Sequence, residues 1–550
     1  MSRFNHNSVS QVKIYIDGSW VSPRDYQLLT FNDFKQNRYT EHNYMSSTAV
    51  SSIMKVDENT SRFHADYNRI DFKMVKGNGN MVYMVRDTYD YVPITDDPSL
   101  FTSDPLKSGA VALGEMSQMR GYPAADNIKY STPKSQSDNW FKKTFGFEEK
   151  HYMEYQENRR RSSSTEASTL SRFSRNVQRS STAAASPSSS TLDFRVGVTG
   201  KTCFSKFTPT LLTSPVPILK ITFSDPNSHL VKETRRFHIG HFGTPTLSEI
   251  REFAQTFPKS QTQSTLVSKV LGDVFNHHTN PEFNGALFQV ASQFNCLEFP
   301  SPEVTPEHGI TDYVYDRTQG PACTVPTGPA TFYRNYLAPV AENKIDESMV
   351  LSPGAKLGQS ADNQIDNLAD VIAMIASYAP HISSPLVDVK NGYAFSTVEK
   401  LNLVNEILGS LRDSQLDELA DRLRIGLQFK IGAYLNANRK PVSPSELQLV
   451  SHAFCSVISI AYSGISTHHW EKLAKVVLRA SYEATFWAAV INKNNGGSNK
   501  LVLTLVGGGV FGNKRSWIMD AIRCAHDKTK EYGLDVIIGY YSDAMMNSSD

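Results

Sequence analysis

Gly507-Gly508-Gly509-Val510-Phe511-Gly512-Asn513 is the stretch of this chain with most to offer a ligand. Four glycines fall within six residues, directly after the apolar run Leu501–Val506 and ahead of a helical pattern from about Ser516 to Tyr532. A glycine-rich loop that leaves a buried strand and enters a helix can turn backbone N–H groups toward an anion. Glycine permits positive φ and lets a ligand approach the main chain closely. A turn that needs glycine only for packing would need fewer of them, so the run points to a phosphate cradle. A second concentration of polar groups lies between Phe288 and Tyr336, in a segment punctuated by glycine and proline. It holds Asn295, Glu298, Asp316, Gln319, Gly320, Arg334 and Asn335. Asn295, Gln319, Arg334 and Asn335 are expected to converge on the same ligand, unless the segment is a surface loop that satisfies its own hydrogen bonds.

These residues resemble a macrodomain. Gly507–Gly512 is similar to the second phosphate loop of that family, S-x-G-V-[FY]-G. Leu271-Gly272-Asp273-Val274 is similar to the G-D-[IV] that follows an early strand. Ala291-Ser292-Gln293-Phe294-Asn295 is similar to the V-N-A-A-N segment. The resemblance implies that Asp273 accepts from an adenine amino group and Asn295 contacts the distal ribose. It also implies that Gly508, Gly509, Val510, Phe511 and Gly512, with Asn513 beside them, wrap the phosphates of ADP-ribose or a related NAD-derived nucleotide. Tyr540 or Tyr541 would stack on the base. The sequence departs from the family at Ser292, where the first asparagine would stand. It also lacks a clean G-G-G-V-A-G loop, for which Thr318–Cys323 is the best candidate. The segments Ala291–Asn295 and Gly507–Asn513 are similar, too, to a set of uncharacterised bacterial and eukaryotic proteins, a likeness that implies no activity.

Were the site to cleave an ADP-ribosyl bond at C1″, it would need a positioned water, an acid or the ligand's own phosphate to orient it, and donors on the diphosphate. Asp316 and Glu298 are the acids that could serve. The paired glutamates of poly(ADP-ribose) glycohydrolases are missing, since Val510-Phe511 follows Gly509, so binding of ADP-ribose or of an ADP-ribosylated protein without turnover stays open. Two other classes remain: an interaction protein controlled through a phosphorylated linker, and an α/β enzyme acting on another phosphorylated ligand.

The elements that must position these groups follow from periodicity. Strand-like runs occur at Phe194–Val198, Ile218–Thr222, Ala286–Ala291, Leu501–Val506 and Val536–Tyr541. Apolar residues recur at helical spacing at Ile365, Leu368, Val371, Ile372 and Ile375, and again at Leu401, Val404, Ile407, Leu408 and Leu411. A long buried helix is expected over about 470–491. Strand, loop, helix and strand over 501–541 describe a crossover in a parallel sheet. The fold expected over 193–550 is therefore α/β, a three-layer mixed sheet with a helical insertion at about 340–450. It is preceded by a small β-rich or mixed module over 1–135, where Val12–Ile16 and Met81–Val85 read as strands beside the turn signals Asp17-Gly18 and Gly77-Asn78-Gly79.

Between them, 136–192 reads as a linker. From Arg159 to Leu192 over a third of the residues are serine and large apolar residues are nearly absent, too few to offset chain entropy. Arg159–Ser162 and Arg160–Ser163 have the spacing of basophilic kinase sites.

Composition sets the outer limits. Lys+Arg is 56 and Asp+Glu is 55 in 550 residues, so net charge gives no whole-chain support for nucleic-acid binding. Five dispersed cysteines without a C-x-x-C pair argue against a disulfide framework or zinc knuckle. No secretory signal or membrane-length apolar run is recognisable, and a cytoplasmic or nuclear protein is expected. Gly197–Thr202 lacks the first glycine of a phosphate-binding P-loop. His238/His241, His277/His278 and His468/His469 lack acids or cysteines at ligand spacing, so neither a metal nor another cofactor is expected.

Overall fold

The computed structural model describes eight strands between Ile14 and Pro93, residues 134–156, and residues 193–541 apart from short gaps at 205, 209–210, 212, 226–230, 317, 342–343 and 347–356. The expected N-terminal strands are present as Ile14–Ile16 and Asn80–Asp87. Each pairs antiparallel with its neighbour across the predicted turn, Ile14–Ile16 with Ser19–Val21 and Asn80–Asp87 with Asn68–Gly77. The Ser/Arg stretch 157–192 lies outside the described residues.

The first helix among the described residues, α1 (Lys134–Phe145), corrects the linker boundary drawn at 136. Gly146, at φ +90, ends it, with its N–H bonded to the Lys142 carbonyl. Trp140, Phe141, Phe145, Phe147 and Tyr152 are all buried, packed with Phe194, Phe223, Phe237, Phe332 and Tyr336. Phe147 stacks on Phe194 at 4.3 Å. Aromatic burial on this scale binds 140–155 into the body that follows.

That body is mixed α/β. Its main sheet has eight strands: β2 (Cys203–Phe204), β5 (His241–Gly243), β6 (Thr265–Leu271), β7 (Leu287–Ala291), β8 (Gly426–Ala433), β9 (Gln448–Cys455), β10 (Lys500–Leu503) and β11 (Asp535–Tyr540). Across the sheet they run β2-β5-β8-β9-β7-β10-β11-β6. The five from β9 to β6 are mutually parallel, and β8 is antiparallel to both β9 and β5. Alternate residues serve two cores. Leu287, Leu501, Leu503, Val536 and Ile538 share a core with the helices α2 (Leu247–Ala254), α8 (Thr467–Asn494) and α9 (Arg515–Thr529), whereas Phe288, Val450, Val502 and Ile537 face the opposite side. On that side lie α3 (Gln319–Thr324) and α4 (Gly328–Tyr336). A separate antiparallel sheet joins β1 (Asp193–Thr199), β3 (Ile218–Ser224) and β4 (Val231–His238).

The insertion is shorter than expected. Its helices are α5 (Ala369–Ser377), α6 (Val398–Ser410) and α7 (Asp413–Asp421), but β8 and β9, placed inside 340–450 or across its end by the sequence, are strands of the main sheet. Lys430 sits at φ +62 where the β8–β9 register shifts, and this bulge breaks the alternation that would have marked β8 as a strand.

Candidate functional site

Because β6, β11, β10, β7 and β9 are parallel, their carboxyl ends share one edge of the sheet. Leu271 registers with Tyr540, Leu503 with Ile538, and Ala291 with Cys455. In open α/β sheets this is the edge at which ligands bind. Gly272-Asp273 follows β6, Tyr541 follows β11, the glycine loop follows β10 and Ser292 follows β7. Asp273 caps a one-turn helix, Val274–His277, accepting from the Phe275 N–H at 2.9 Å. Tyr541 is 57% exposed, whereas Tyr540 is buried beneath Lys269 and Arg515.

The loop's glycines divide by role. Gly507 has φ +79, and a Cβ there would lie 2.2 Å from Val457 Cγ2; Gly512 has φ +74. Both are required by the turn. Gly509 has no such constraint, since a Cβ would meet nothing within 4 Å. Gly508, Gly509 and Gly512 are exposed. Three backbone hydrogen bonds internal to the turn shape it: Gly508 N–H to Leu505 O at 3.0 Å, Gly512 N–H to Gly509 O at 3.1 Å, and Asn513 N–H to Gly507 O at 2.8 Å. The amides of Gly509, Val510 and Phe511 find no backbone acceptor among the described residues. Asn513 is buried and acts from below, its Nδ2 donating to Ile458 O at 2.9 Å. Phe511 is also buried, between Tyr393 and Tyr462. Both side chains turn into the protein.

The second polar cluster converges on itself. The carboxamide of Asn295, fully buried, donates to Gln364 Oε1 at 2.8 Å and accepts from the Leu297 N–H at 3.0 Å. Arg334 donates to Cys296 O and Gln428 Oε1, both at 3.0 Å, pairs with Glu298 at 3.1 Å, and lies 3.9 Å over the Phe454 ring. Asn335 Nδ2 reaches Pro306 O at 3.1 Å. Gln359 Nε2 ties the carbonyls of Asn295 and Arg334 together. Asn295, Arg334 and Asn335, expected with Gln319 to converge on a ligand, and the candidate acid Glu298 are thus all buried and bonded to protein groups. Desolvation pushes the Glu298 carboxyl up despite Arg334. Asp316 is bound into a turn, Oδ1 accepting from the Thr318 N–H at 2.8 Å and its hydroxyl at 2.6 Å.

Gln319 and Gly320 stand nearer the edge but also face protein. Gln319 bridges the Ala291 N–H and the Gln289 carbonyl, each at 2.7 Å, so it clamps the end of β7. At Gly320 a Cβ would fall 2.0 Å from Ala291 O, which makes glycine obligatory for that approach. Burial pushes the Cys296 thiol up to about 12 and that of Cys455 up to about 11, which disfavours the thiolate at both. Among the described residues no group of three His, Cys, Asp or Glu could hold a metal ion. No described helix is long and apolar enough to cross a membrane.

Residues that the sequence did not single out shape the loop. The segment after β9 supplies Val457 against Gly507, Ile458 O to Asn513, and the Ala461 N–H to Phe511 O at 3.1 Å. Its only local sign is a run of small polar residues, Ser456, Ser459 and Ser463, beyond an apolar strand. No protein-family model matches the chain, and no curated protein matches it.

Proposed function

We propose that the C-terminal α/β body binds ADP-ribose or a related NAD-derived nucleotide at the carboxyl edge of the parallel strands. The observation that carries this reading is the exposed loop at Gly509, where consecutive amides find no backbone acceptor among the described residues and the glycine has no packing reason to be one. Sheet order supports it as well. Counted from β6 to β11, these strands lie in the order first, sixth, fifth, second, fourth, third, with the third alone antiparallel, so that five carboxyl ends gather at one edge. Asp273 and the exposed Tyr541 end neighbouring strands, where the adenine of such a ligand would lie.

The buried ion pair of Glu298 and the turn-bound Asp316 favour binding over hydrolysis, because neither acid is placed to orient a water. Calorimetric titration of the full chain with ADP-ribose tests the reading, with heat of binding expected. Gly509→Val should weaken binding at least roughly tenfold, the loss of one or more charge-assisted hydrogen bonds, while the melting temperature holds. No heat from a folded wild-type chain, or normal binding by the variant, would refute the assignment.

A further inference from the structure

We infer, resting on the nucleotide reading of the carboxyl edge, that the site grips only the ADP half of its ligand and leaves whatever is attached beyond the second phosphate in solvent. ADP, ADP-ribose and NAD then present the same part to the protein.

The edge changes character from one strand to the next. Over β6, β11 and β10 it is open: Asp273 follows β6, the exposed Tyr541 follows β11, and the exposed glycines of the loop follow β10. The next strand is β7, and there the edge is sealed. Ser292, Gln293, Phe294 and Asn295, which leave β7, are all buried. The hairpin Asp388–Phe395 covers them. Asn391 at φ +48 and Gly392 at φ +79 give it the paired positive φ values of a tight two-residue turn. That turn is pressed onto the loop after β7, since a Cβ built on Gly392 would lie 2.5 Å from Gln293 Cβ and 2.9 Å from Asn295 Oδ1. The Phe294 N–H donates to the Gly392 carbonyl at 3.0 Å.

The seal is bonded on both sides. Asn295 Nδ2 donates to Gln364 Oε1 at 2.8 Å, Gln364 Nε2 to Asn391 Oδ1 at 2.7 Å, and Asn391 Nδ2 to the Pro302 carbonyl. The Tyr393 hydroxyl donates to Phe299 O at 2.7 Å. Ala394 exchanges two bonds with the Ser459 hydroxyl, its N–H donating at 3.1 Å and its carbonyl accepting at 3.2 Å. Lifting the hairpin would break these bonds and expose Tyr393 and Ala394, both fully buried. A sugar whose hydroxyls only exchange water for protein gains too little to offset that. The glycine loop stands in the opposite condition. The amides of Gly509, Val510 and Phe511 find no backbone acceptor among the described residues, and phosphate oxygens would bring them charge-assisted bonds. Binding energy is therefore concentrated on base and phosphates, and a group attached beyond them meets a closed wall and turns to solvent.

Calorimetric titration of the full chain with ADP, ADP-ribose, NAD and AMP is the test. The first three should bind within about threefold of one another, short of the roughly tenfold step that one charge-assisted hydrogen bond brings. AMP, which lacks the second phosphate, should bind at least roughly tenfold more weakly than ADP. ADP-ribose carrying biotin on its second ribose should bind as tightly as ADP-ribose itself. Asn295→Ala should leave the ratio of ADP-ribose to ADP affinity unchanged whatever it does to stability. Gln364→Ala cuts the same chain of bonds at a half-buried position and serves where Asn295→Ala does not fold. ADP-ribose that binds roughly tenfold or more tightly than ADP overturns the inference and leaves the nucleotide reading in place. So does AMP that matches ADP, a biotinylated ligand that fails to bind, or an affinity ratio that falls in either variant. No heat with any of these ligands from a folded chain overturns both.

Discussion

Arg334 and Glu298 form an ion pair at 3.1 Å in which neither side chain reaches solvent. The pair joins α4 to the loop after β7, and Arg334 extends it to Gln428 on β8. Removing one partner leaves a charge buried without compensation, a loss on the order of 3–5 kcal/mol. Glu298→Ala should therefore show that loss in chemical denaturation. Glu298→Leu combined with Arg334→Met should recover much of it. A Glu298→Gln chain of normal stability that no longer handles an ADP-ribosyl substrate would show the acid to be chemical rather than architectural.

Neighbouring glycines in the loop should respond in opposite ways to the same substitution. Gly507→Ala forces a methyl to 2.2 Å from Val457 at φ +79, and a loss of about 1–3 kcal/mol is expected by thermal or chemical unfolding. Gly509→Ala meets open space and should leave stability within about 0.5 kcal/mol of wild type. A destabilised Gly509→Ala would give that glycine a packing role and remove the argument for a ligand.

His278 and His452 should make the fold acid-sensitive. Their Nε2 atoms lie 2.8 Å apart, and His278 Nδ1 lies 2.8 Å from Val274 O. His278 thus carries its proton on Nδ1 and accepts at Nε2 from His452. Burial lowers both, His278 to about 4 from an ordinary 6.5. The unfolded chain takes up protons near pH 6.5 and the folded chain does not. Their contribution is present above that pH and is lost as pH falls toward about 4, at about 1.4 kcal/mol per pH unit for each imidazole. Chemical denaturation at descending pH should show this fall, and His278→Leu with His452→Leu should flatten it. Imidazole signals that titrate near 6.5 in the folded chain would contradict the geometry.

Glu149 should prove to be the anchor of the N-terminal arm of the body. Its buried carboxylate accepts from the Ile310 N–H at 2.7 Å, the Thr311 N–H at 2.9 Å, the Tyr336 hydroxyl at 2.6 Å and the Thr311 hydroxyl. Glu149→Ala leaves these donors unpaired, at a cost of about 1–3 kcal/mol or more. A chain beginning at Asp193 would also lack Trp140, Phe141, Phe145, Phe147 and Tyr152. It is expected to lose cooperative near-ultraviolet melting that a chain beginning at Lys134 retains.

The crossover β10–α9–β11 and the long helix α8 were legible in the sequence because their apolar residues repeat at one period over many positions. Helix α5 starts at Ala369 rather than at Ile365, which is buried in the approaching loop, and α6 ends at Ser410 just short of Leu411. Residues 140–155 were hidden by composition. Lysines, glutamates and the adjoining serine-rich stretch mask aromatics whose partners, such as Phe332 and Phe237, come much later in the chain. The glycine loop could be read because its property is local to the backbone. The fate of Asn295 and Arg334 could not, because Gln364 and Gln428 approach them from 69 and 94 residues away. Nothing in a local pattern distinguishes an asparagine that greets a ligand from one that holds a distant glutamine.

Phe511 gives the loop a mechanical character. Its ring is wedged between Tyr393, from the hairpin Asp388–Phe395, and Tyr462, at centroid distances of 5.6 and 5.7 Å. A loop pegged in this way is a socket rather than a lid. Little ordering entropy is left to lose when an anion arrives, so association should follow a single phase set by encounter. If the loop binds as proposed, the insertion that supplies Tyr393 would set how long the ligand stays, by setting how firmly the socket keeps its shape.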